Sequence, residues 1–426
     1  MGYFDDCTPD QRFTNTGLDS MYNGVGTVKV IIDWDQRRTI AVATAWAEDD
    51  EAFFFDALAE HIDDIPSNIM QIEVGERGEL LNSTAELDED WTMIPFYPSP
   101  SDYPSLPQIR REQLIELDRM GVQVDLCENT LATSPEPKLV VYKYYTNEGN
   151  ISIIWDELNC LLRIPKHPNI VPFNTLVIDQ VEGKDKVVGF TTPFIPGGTI
   201  LDNISRPFKV KHLLQLLSTI DYLNLTLGIV HGDITPYNLL IDNTTDNLLI
   251  FDFNLAYRLG ADNISSDSYD PSRNDVKFAA FTLYEIITRD THLRDENHPS
   301  ELDASMILET NSSAPAWEKH EDVVLDAPVA EYKRHLIEWM AQRAEGDAEE
   351  QATSRSQAPS AVNWPPLPEF PEVPFCGTMI RRATQMRQEM TQRGAGFIAW
   401  QRPPSCTLPL SGGKKLLATG EVVEGS

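Results

Sequence analysis

Basic residues are scarce in this chain. Its 426 residues include 34 Lys and Arg against 66 Asp and Glu, which gives a formal net charge of −32. A protein this acidic is repelled by a phosphate backbone and by an anionic lipid surface. We therefore expect neither nucleic acid nor a membrane surface as a partner.

Cysteine and long apolar runs are also scarce. The five cysteines are scattered and form no CxxC pair, which excludes a disulfide framework and a cysteine zinc site and fits a reducing compartment. No apolar run approaches the roughly 18 residues of a membrane span. The opening MGYFDDCTPD lacks the apolar segment of a signal peptide, so we expect a cytoplasmic or nuclear location by default.

Residues 1–108 are predicted to form an acidic accessory α+β region that ends in a linker. Up to residue 110 there are 22 Asp and Glu against 6 Lys and Arg. The apolar segments 28–33 and 39–46 predict a strand pair, and 48–64 predicts an amphipathic helix with an acidic first turn. The Pro- and Ser-rich stretch 96–108 is typical of a linker.

Residues 109–343 alternate between strand-like and helix-like segments and are predicted to form the main domain. Periodicity and β-branched content predict strands at 139–145 and 186–195. Helical periodicity of the apolar residues predicts helices at 151–165, 210–228 and 274–290.

The remaining chain is predicted to be a linker and a tail. Residues 344–375 carry six prolines from 359 onward, a composition that predicts a disordered or extended linker. Residues 376–426 form a basic tail with one predicted helix at 378–394, and from residue 371 there are 7 Lys and Arg against 4 Asp and Glu. Such a tail either folds back onto the acidic body or carries a solvated helix, and the sequence leaves both open.

The stretch IVHGDITPYNLLID at 229–242 carries the chemistry. Asp233 and Asn238 lie five residues apart, on a loop between two apolar segments. Asp252 follows nineteen residues after Asp233, directly after a predicted strand in LLIFDFNLA. Mg²⁺ prefers carboxylate and amide oxygens combined with phosphate oxygens, so these side chains predict a Mg²⁺-nucleotide site.

These motifs resemble those of the protein-kinase-like superfamily. HGDITPYN is similar to the catalytic loop H-R-D-L-x-x-x-N, and DFN is similar to D-F-G. The resemblance covers about residues 110–340 and is strongest to fungal kinase-domain proteins with an HGD loop. It implies a two-lobed α+β fold, with a β-rich N-lobe at about 109–192 and a helical C-lobe at about 196–343.

The resemblance also implies roles for five side chains and ATP with Mg²⁺ as cofactors. VVYK at 140–143 resembles V-A-I-K, so Lys143 would position the ATP phosphates. Glu157, in the next helix, would pair with Lys143. Asp233 would accept the proton of a substrate hydroxyl, while Asn238 and Asp252 would hold Mg²⁺.

Other matches imply an adenine site and a structural brace. HPNIV at 167–171 resembles the loop after the first helix of kinases. FIPGG at 194–198 resembles the hinge, where the backbones of Pro193 and Ile195 would bind adenine beside Thr192 as gatekeeper. Asp275 resembles the buried aspartate that braces the catalytic loop.

Four departures from the kinase pattern affect the functional prediction. The segment before Lys143 contains one glycine, Gly121, instead of a glycine-rich phosphate loop. Gly232 replaces the arginine that receives an activation-loop phosphate, and Thr235 replaces a phosphoryl-neutralising lysine. Asn254 replaces the glycine of D-F-G, and no A-P-E sequence follows it.

Three functions remain open from the sequence. The first is an ATP-dependent phosphotransferase acting on a hydroxyl, such as Ser or Thr of a protein. The second is a pseudokinase that binds a nucleotide or a partner, favoured by the missing glycines and the long flanks. The third is a small-molecule kinase, favoured by HGD and the absent A-P-E.

Overall fold

The computed structural model describes most of the chain up to residue 344 and parts of the tail. The described residues are 3–5, 7–86, 90–92, 97–133, 136–146, 151–181, 183–203, 205–259, 270, 272–308, 317–344, 362, 364, 389, 392–395, 398–405, 414–416 and 422–424. Within them, no helix is both long and apolar enough to cross a bilayer. The predicted helix at 378–394 lies almost entirely outside them.

The first unit is a six-stranded sheet with one helix packed on it. The sheet order is β1-β3-β4-β5-β6, with β2 also paired to β3. Its elements are α1 (Pro9–Arg12), β1 (Phe13–Asn15), β2 (Ser20–Tyr22), β3 (Gly26–Asp33), β4 (Arg38–Ala43), α2 (Glu51–Ala59), β5 (Gln71–Val74) and β6 (Leu80–Thr84). The predicted strand pair is confirmed as antiparallel β3 and β4. Helix α2 begins after Asp50, whose side chain caps it by accepting a hydrogen bond from the N–H of Ala52.

The second unit is a six-stranded sheet with helix α3. Its order is β7-β11-β12-β10-β9-β8, and only the β7–β11 pair is parallel. Its elements are β7 (Gln108–Arg110), β8 (Leu114–Gly121), β9 (Val124–Asn129), β10 (Leu139–Tyr144), α3 (Ile151–Arg163), β11 (Thr175–Val181) and β12 (Lys184–Pro193). Strands β10 and β12 and helix α3 confirm the predicted elements.

The third unit is mainly helical. Its elements are α4 (Val210–Asp221), β13 (Ile229–Val230), β14 (Leu239–Ile241), β15 (Leu248–Ile250), β16 (Tyr257–Arg258), α5 (Asp275–Thr288), α6 (His292–Glu296), α7 (Ser305–Leu308) and α8 (Val329–Ala344). Helix α5 is apolar on nearly every side and lies in the core of this lobe, as its sequence predicts. Together the second and third units make a two-lobed α+β fold.

The predicted helix 210–228 changes geometry before its end. After α4, the chain makes a π-helical turn at Tyr222–Leu227 and stops at Gly228, which has a left-handed φ of 69°. The wider turn places Asn224 where its amide reaches the carbonyl of Ile229 and the carboxylate of Asp275. A left-handed glycine is a common way to end a helix.

Described parts of the tail lie against the body. In the tail, β17 (Lys414–Leu416) pairs with β18 (Val422–Glu424). Trp364 lies in the stretch predicted to be a disordered linker, yet it is buried and its indole N–H donates to Asp156. Trp364 itself packs against the body, because its indole finds both an apolar cluster and an acceptor on α3. The disordered or extended path of residues 344–375 as a whole stays a prediction.

Residues 398–405 join the first sheet to the second. Trp400 stacks on Tyr144 with ring centroids 5.4 Å apart, and its indole N–H donates to the hydroxyl of Tyr97. Arg402 lies between the two sheets, where its guanidinium donates to the Asp35 carbonyl and to the carboxylate of Asp125. Of the two behaviours that the sequence left open, these residues show the folded-back one.

Candidate active site

Lys143 lies at the centre of the site, between two carboxylates. Its Nζ is 2.7 Å from Glu157 Oε1 and 2.6 Å from Asp252 Oδ1. Strand β10 supplies the lysine, helix α3 supplies Glu157, and the segment after β15 supplies Asp252. The structure therefore brings together three residues that the sequence spreads over more than a hundred positions.

Burial and neighbouring charges shift the pKa values of Lys143 and its two carboxylate partners in opposite directions. Burial alone would lower the pKa of Lys143, but the carboxylates of Asp252 and Glu157 raise it above its ordinary value. Burial raises the pKa of Glu157, whose side chain is 2% exposed. Burial also acts to raise the pKa of Asp252, but the Lys143 ammonium lowers it. Lys143 is thus held as a cation.

Asp233 and Asn238 face each other across the catalytic loop. The Asn238 side-chain amide donates to the carbonyl oxygen of Asp233 at 2.9 Å and to its Oδ2 at 2.7 Å. A short 3₁₀ turn at Pro236–Asn238 brings the asparagine back toward the aspartate. The carboxylate of Asp233 is about a quarter exposed, so it can reach a bound molecule.

Asp275 braces this loop from the first turn of α5. Its carboxylate accepts from the N–H of His231 and from the N–H of Gly232, each at 2.9 Å. The Asn224 amide donates to the same carboxylate at 2.8 Å. His231 itself is fully buried, and its Nε2 lies 3.0 Å from the carbonyl oxygen of Phe251. His231 therefore links the catalytic loop to the segment that carries Asp252.

Glycine at position 232 has a steric reason. Its φ is +76°, and a Cβ there would lie 2.4 Å from the carbonyl oxygen of Leu255. Both the backbone angle and the close approach therefore exclude a larger side chain unless the backbone moves. The HGD form is a packing requirement of this loop, in addition to the loss of the phosphate-binding arginine.

The unusual backbone angle of the DFN turn falls on its first residue. Asp252 has a φ of +65°, whereas Asn254 is not among the described residues with positive φ. Aspartate tolerates the left-handed region better than most side chains, and here the Lys143 contact holds it there.

The β8–β9 hairpin beside Lys143 is short. In the register of β9 and β10, Val124 is the partner of Lys143, and the turn at Val122 and Gln123 comes directly before Val124. The N–H of Tyr144 donates to the Gln123 carbonyl at 3.1 Å. The hairpin thus ends almost level with the lysine, so few backbone N–H groups extend past it toward a phosphate.

The hinge residues lie at the end of β12. Thr192 and Pro193 pair with Val141 and Val140 of β10, and both are partly exposed. Phe194 is buried and its N–H donates to the Leu139 carbonyl. Ile195 is partly exposed, and its N–H has no hydrogen-bond partner among the described residues. Its backbone can therefore bind a ligand.

One side chain near Asp233 has no counterpart in the sequence-based site. Arg273 Nη1 lies 3.5 Å from Asp233 Oδ1 and 3.3 Å from the carbonyl oxygen of Gly232. No motif marks it, because it lies forty residues after Asp233 and reaches the loop only through the packing of α5.

A family comparison agrees with this geometry. Residues 134–347, half of the chain, match the protein kinase domain family. The chain belongs to the protein kinase domain family. The kinase domain so matched contains every residue that the sequence assigned to the site.

Three curated relatives of this chain carry kinase names. The chain is similar to CBL-interacting protein kinase 24 of Oryza sativa subsp. japonica, with 28% identity over 180 residues, 37% of this chain and 38% of that protein. It is 26% identical over 158 residues to the serine/threonine-protein kinase PKH3 of Eremothecium gossypii, 35% of this chain and 21% of that protein. It is 32% identical over 117 residues to ribosomal protein S6 kinase alpha-6 of Danio rerio, 25% of this chain and 15% of that protein. The chain therefore spans well under half the length of these relatives.

Proposed function

We propose that this chain is an ATP-dependent phosphotransferase that moves the γ-phosphate of Mg-ATP to a hydroxyl, in the first instance to Ser or Thr of a protein. The observation that carries the proposal is Lys143 within 2.7 Å of both Glu157 and Asp252. A lysine so fixed offers its ammonium to phosphate oxygens from a defined place.

Asp233 is the proposed base. Hydrogen bonds fix the loop that carries it: Asp275 accepts from two backbone N–H groups of the loop, and the Asn238 amide donates to Asp233 itself. A carboxylate held in this way can orient an acceptor hydroxyl and take its proton as the new P–O bond forms. Its partial exposure lets the acceptor approach from solvent.

Asn238 and Asp252 suit Mg²⁺. They offer amide and carboxylate oxygens, which are the ligands of a hard cation. Phosphate oxygens of ATP would complete the coordination. When bound, Mg²⁺ neutralises charge on the phosphates.

Adenine is proposed to bind at the hinge. The carbonyl of Pro193 and the backbone N–H and carbonyl of Ile195 would pair with the base, and Thr192 would lie beside it. The available N–H of Ile195 supports this placement. The short β8–β9 hairpin predicts weak nucleotide affinity, because it supplies few N–H groups to the phosphates.

A protein acceptor is favoured by the relatives. One of them is named a serine/threonine-protein kinase. This name supports Ser or Thr as the proposed acceptor in this chain.

The test is transfer of labelled γ-phosphate from Mg-ATP by the full chain to a degenerate Ser/Thr peptide mixture. We expect Asp233→Asn to lower turnover at least about 100-fold, because the proton acceptor is removed. The matched control is Asp56→Asn, on the exposed side of α2, which should behave as wild type. Equal turnover for Asp233→Asn and wild type would contradict the assigned base.

The same assay separates the remaining alternatives. Mg-ATP binding without transfer to any acceptor would make the chain a pseudokinase. Transfer only to small hydroxyl compounds would make it a small-molecule kinase.

A further inference from the structure

The catalytic loop carries no cation of its own. Its residues HGDITPYN include neither Lys nor Arg, and Thr235 occupies the place where similar kinases have a lysine. Thr235 is 8% exposed and precedes the Pro236–Asn238 turn as its cap residue. Lys143 is paired with Glu157 and Asp252. The side chains of the catalytic loop therefore supply no positive charge beside Asp233 for a transferring phosphoryl group.

Arg273 brings a positive charge to that side from another segment. Its guanidinium lies 3.5 Å from Asp233 Oδ1, and the side chain is 27% exposed. The hydrogen bonds to Gly232 and Asp233 both use Nη1. A guanidinium has five N–H donors, so further donors can face a ligand beside Asp233.

The backbone around Arg273 is fixed relative to the catalytic loop. The Arg273 N–H donates to the carbonyl of Asp270, and the next residue, Asn274, caps α5 by accepting from the N–H groups of Val276 and Lys277. Asp275, two residues after the arginine, accepts from the loop itself. Arg273 and Asp233 are thus held by one shared set of hydrogen bonds, which limits their relative movement.

We infer that Arg273 stabilises the transferring phosphoryl group beside Asp233, in place of the lysine that Thr235 replaces. This inference rests on the proposed function. In the reaction, the bond from the γ-phosphorus to the bridging oxygen of ATP breaks and ADP leaves with the electron pair. The acceptor oxygen forms the new bond to phosphorus, and its proton passes to Asp233. The guanidinium donates N–H groups to the phosphoryl oxygens as this occurs, and no redox change is involved.

An arginine at position 273 suits the stabilisation of a phosphoryl group better than a flexible lysine on the same segment would. Its planar donors match phosphate oxygens in pairs. The contact with Asp233 keeps the guanidinium beside the place where the phosphoryl group would pass.

The test uses the full chain and compares two ligands by calorimetry: Mg-ADP alone, and Mg-ADP with aluminium fluoride as a mimic of the transferring phosphoryl group. In the wild type the fluoride complex should bind more tightly than Mg-ADP. Arg273→Gln should reduce that gain about tenfold or more, while the Kd for Mg-ADP stays within about twofold. Turnover should fall by a similar factor with an unchanged KM for ATP.

Three further variants separate charge from structure. Arg273→Lys should keep most of the gain, within about threefold, because it keeps the charge. Adding Thr235→Lys to Arg273→Gln should restore part of the gain in affinity from aluminium fluoride, because a positive charge returns to the loop. The control Arg334→Gln, in an exposed ion pair on α8, should match the wild type.

The outcomes distinguish this inference from the proposed function. If the wild type binds neither Mg-ADP nor Mg-ATP, the proposed function fails and the inference with it. If the wild type binds Mg-ADP but Arg273→Gln keeps the full gain from aluminium fluoride, only the inference fails. It also fails if Arg273→Gln weakens Mg-ADP as much as the fluoride complex, because the arginine would then act on the fold of the site.

Discussion

Arg402 and Asp125 are 277 residues apart in the chain, yet Arg402 Nη1 lies 2.9 Å from both carboxylate oxygens of Asp125. Asp125 belongs to β9 of the kinase N-lobe, two residues from the phosphate-side hairpin turn. The same guanidinium donates to the Asp35 carbonyl of the first sheet. One tail residue therefore connects the accessory sheet to β9, whose neighbour β10 carries Lys143.

Removing this arginine should destabilise the chain. Asp125 is 1% exposed, and Arg402→Met leaves it with Arg37 as its remaining cation. We expect a loss of roughly 1–3 kcal/mol, since Asp125 and Glu116 each lose a charged hydrogen-bond donor. Chemical denaturation of the full chain measures it. The control Arg393→Met removes an exposed tail arginine and should cost under about 0.5 kcal/mol. Equal effects of the two substitutions would show that the Arg402 contacts contribute no stability.

Lys143→Met should abolish most of the stabilisation by Mg-ATP. The ammonium is the cation that Glu157 and Asp252 fix in place, and a charge-assisted contact to phosphate contributes about 1.5–3 kcal/mol. We expect at least about tenfold weaker binding, seen as loss of the Mg²⁺-dependent shift in Tm at millimolar ATP. Lys138→Met, an exposed lysine near the start of β10, is the matched control. An undiminished shift in Lys143→Met would place the phosphates elsewhere.

Gly232→Ala should destabilise the catalytic loop more than its backbone angle alone explains. The alanine would have to adopt a φ of +76°, and its Cβ would lie 2.4 Å from the Leu255 carbonyl oxygen. Gly17 is the control, because it has nearly the same φ, +74°, with nothing within 4 Å of an added Cβ. We expect about 1 kcal/mol for Gly17→Ala and at least about twice that for Gly232→Ala, measured by thermal denaturation. The steric account is wrong if the two losses are the same.

Glu285 should make stability depend on pH. Burial raises its pKa to about 7 from an ordinary value of 4.5, although Arg294 is 2.7 Å away and acts to lower it. Since the folded value is the higher one, its stabilising contribution is complete below about pH 4.5 and is lost as pH rises to about 7. Glu285→Gln keeps the neutral shape, so its Tm relative to wild type should rise between these values.

The matched control for this pH series is Glu338→Gln, an exposed glutamate on α8, whose Tm difference from wild type should stay nearly constant. A Tm difference for Glu285→Gln that falls as pH rises would mean that Glu285 is ionised and stabilised by Arg294.

The order of motifs determined much of the site in advance. The sequence could select Lys143, Glu157, Asp233, Asn238 and Asp252 because their residue types and order match the kinase pattern. The structure places Lys143 beside Glu157, the partner expected for it, and also beside Asp252. Periodicity predicted β10, β12, α3 and α5, because local patterns of apolar residues record which side of an element is buried. The assignment of the adenine site and of the Mg²⁺ ligands stays a prediction.

Other features depended on contacts that no local pattern records. Arg273 reaches Asp233 only because α5 packs beneath the loop, and the reason for Gly232 lies in the path of the backbone at Leu255. Trp364 and Arg402 come from segments of polar and proline-rich composition, yet pockets on the distant N-lobe bury them. Composition and periodicity describe a segment's own preference, whereas burial at these positions is decided by surfaces far away in the chain. The sequence by itself thus determined the family and selected the side chains of the proposed site. The tertiary structure alone decided which cation stands beside Asp233 and how the tail is held.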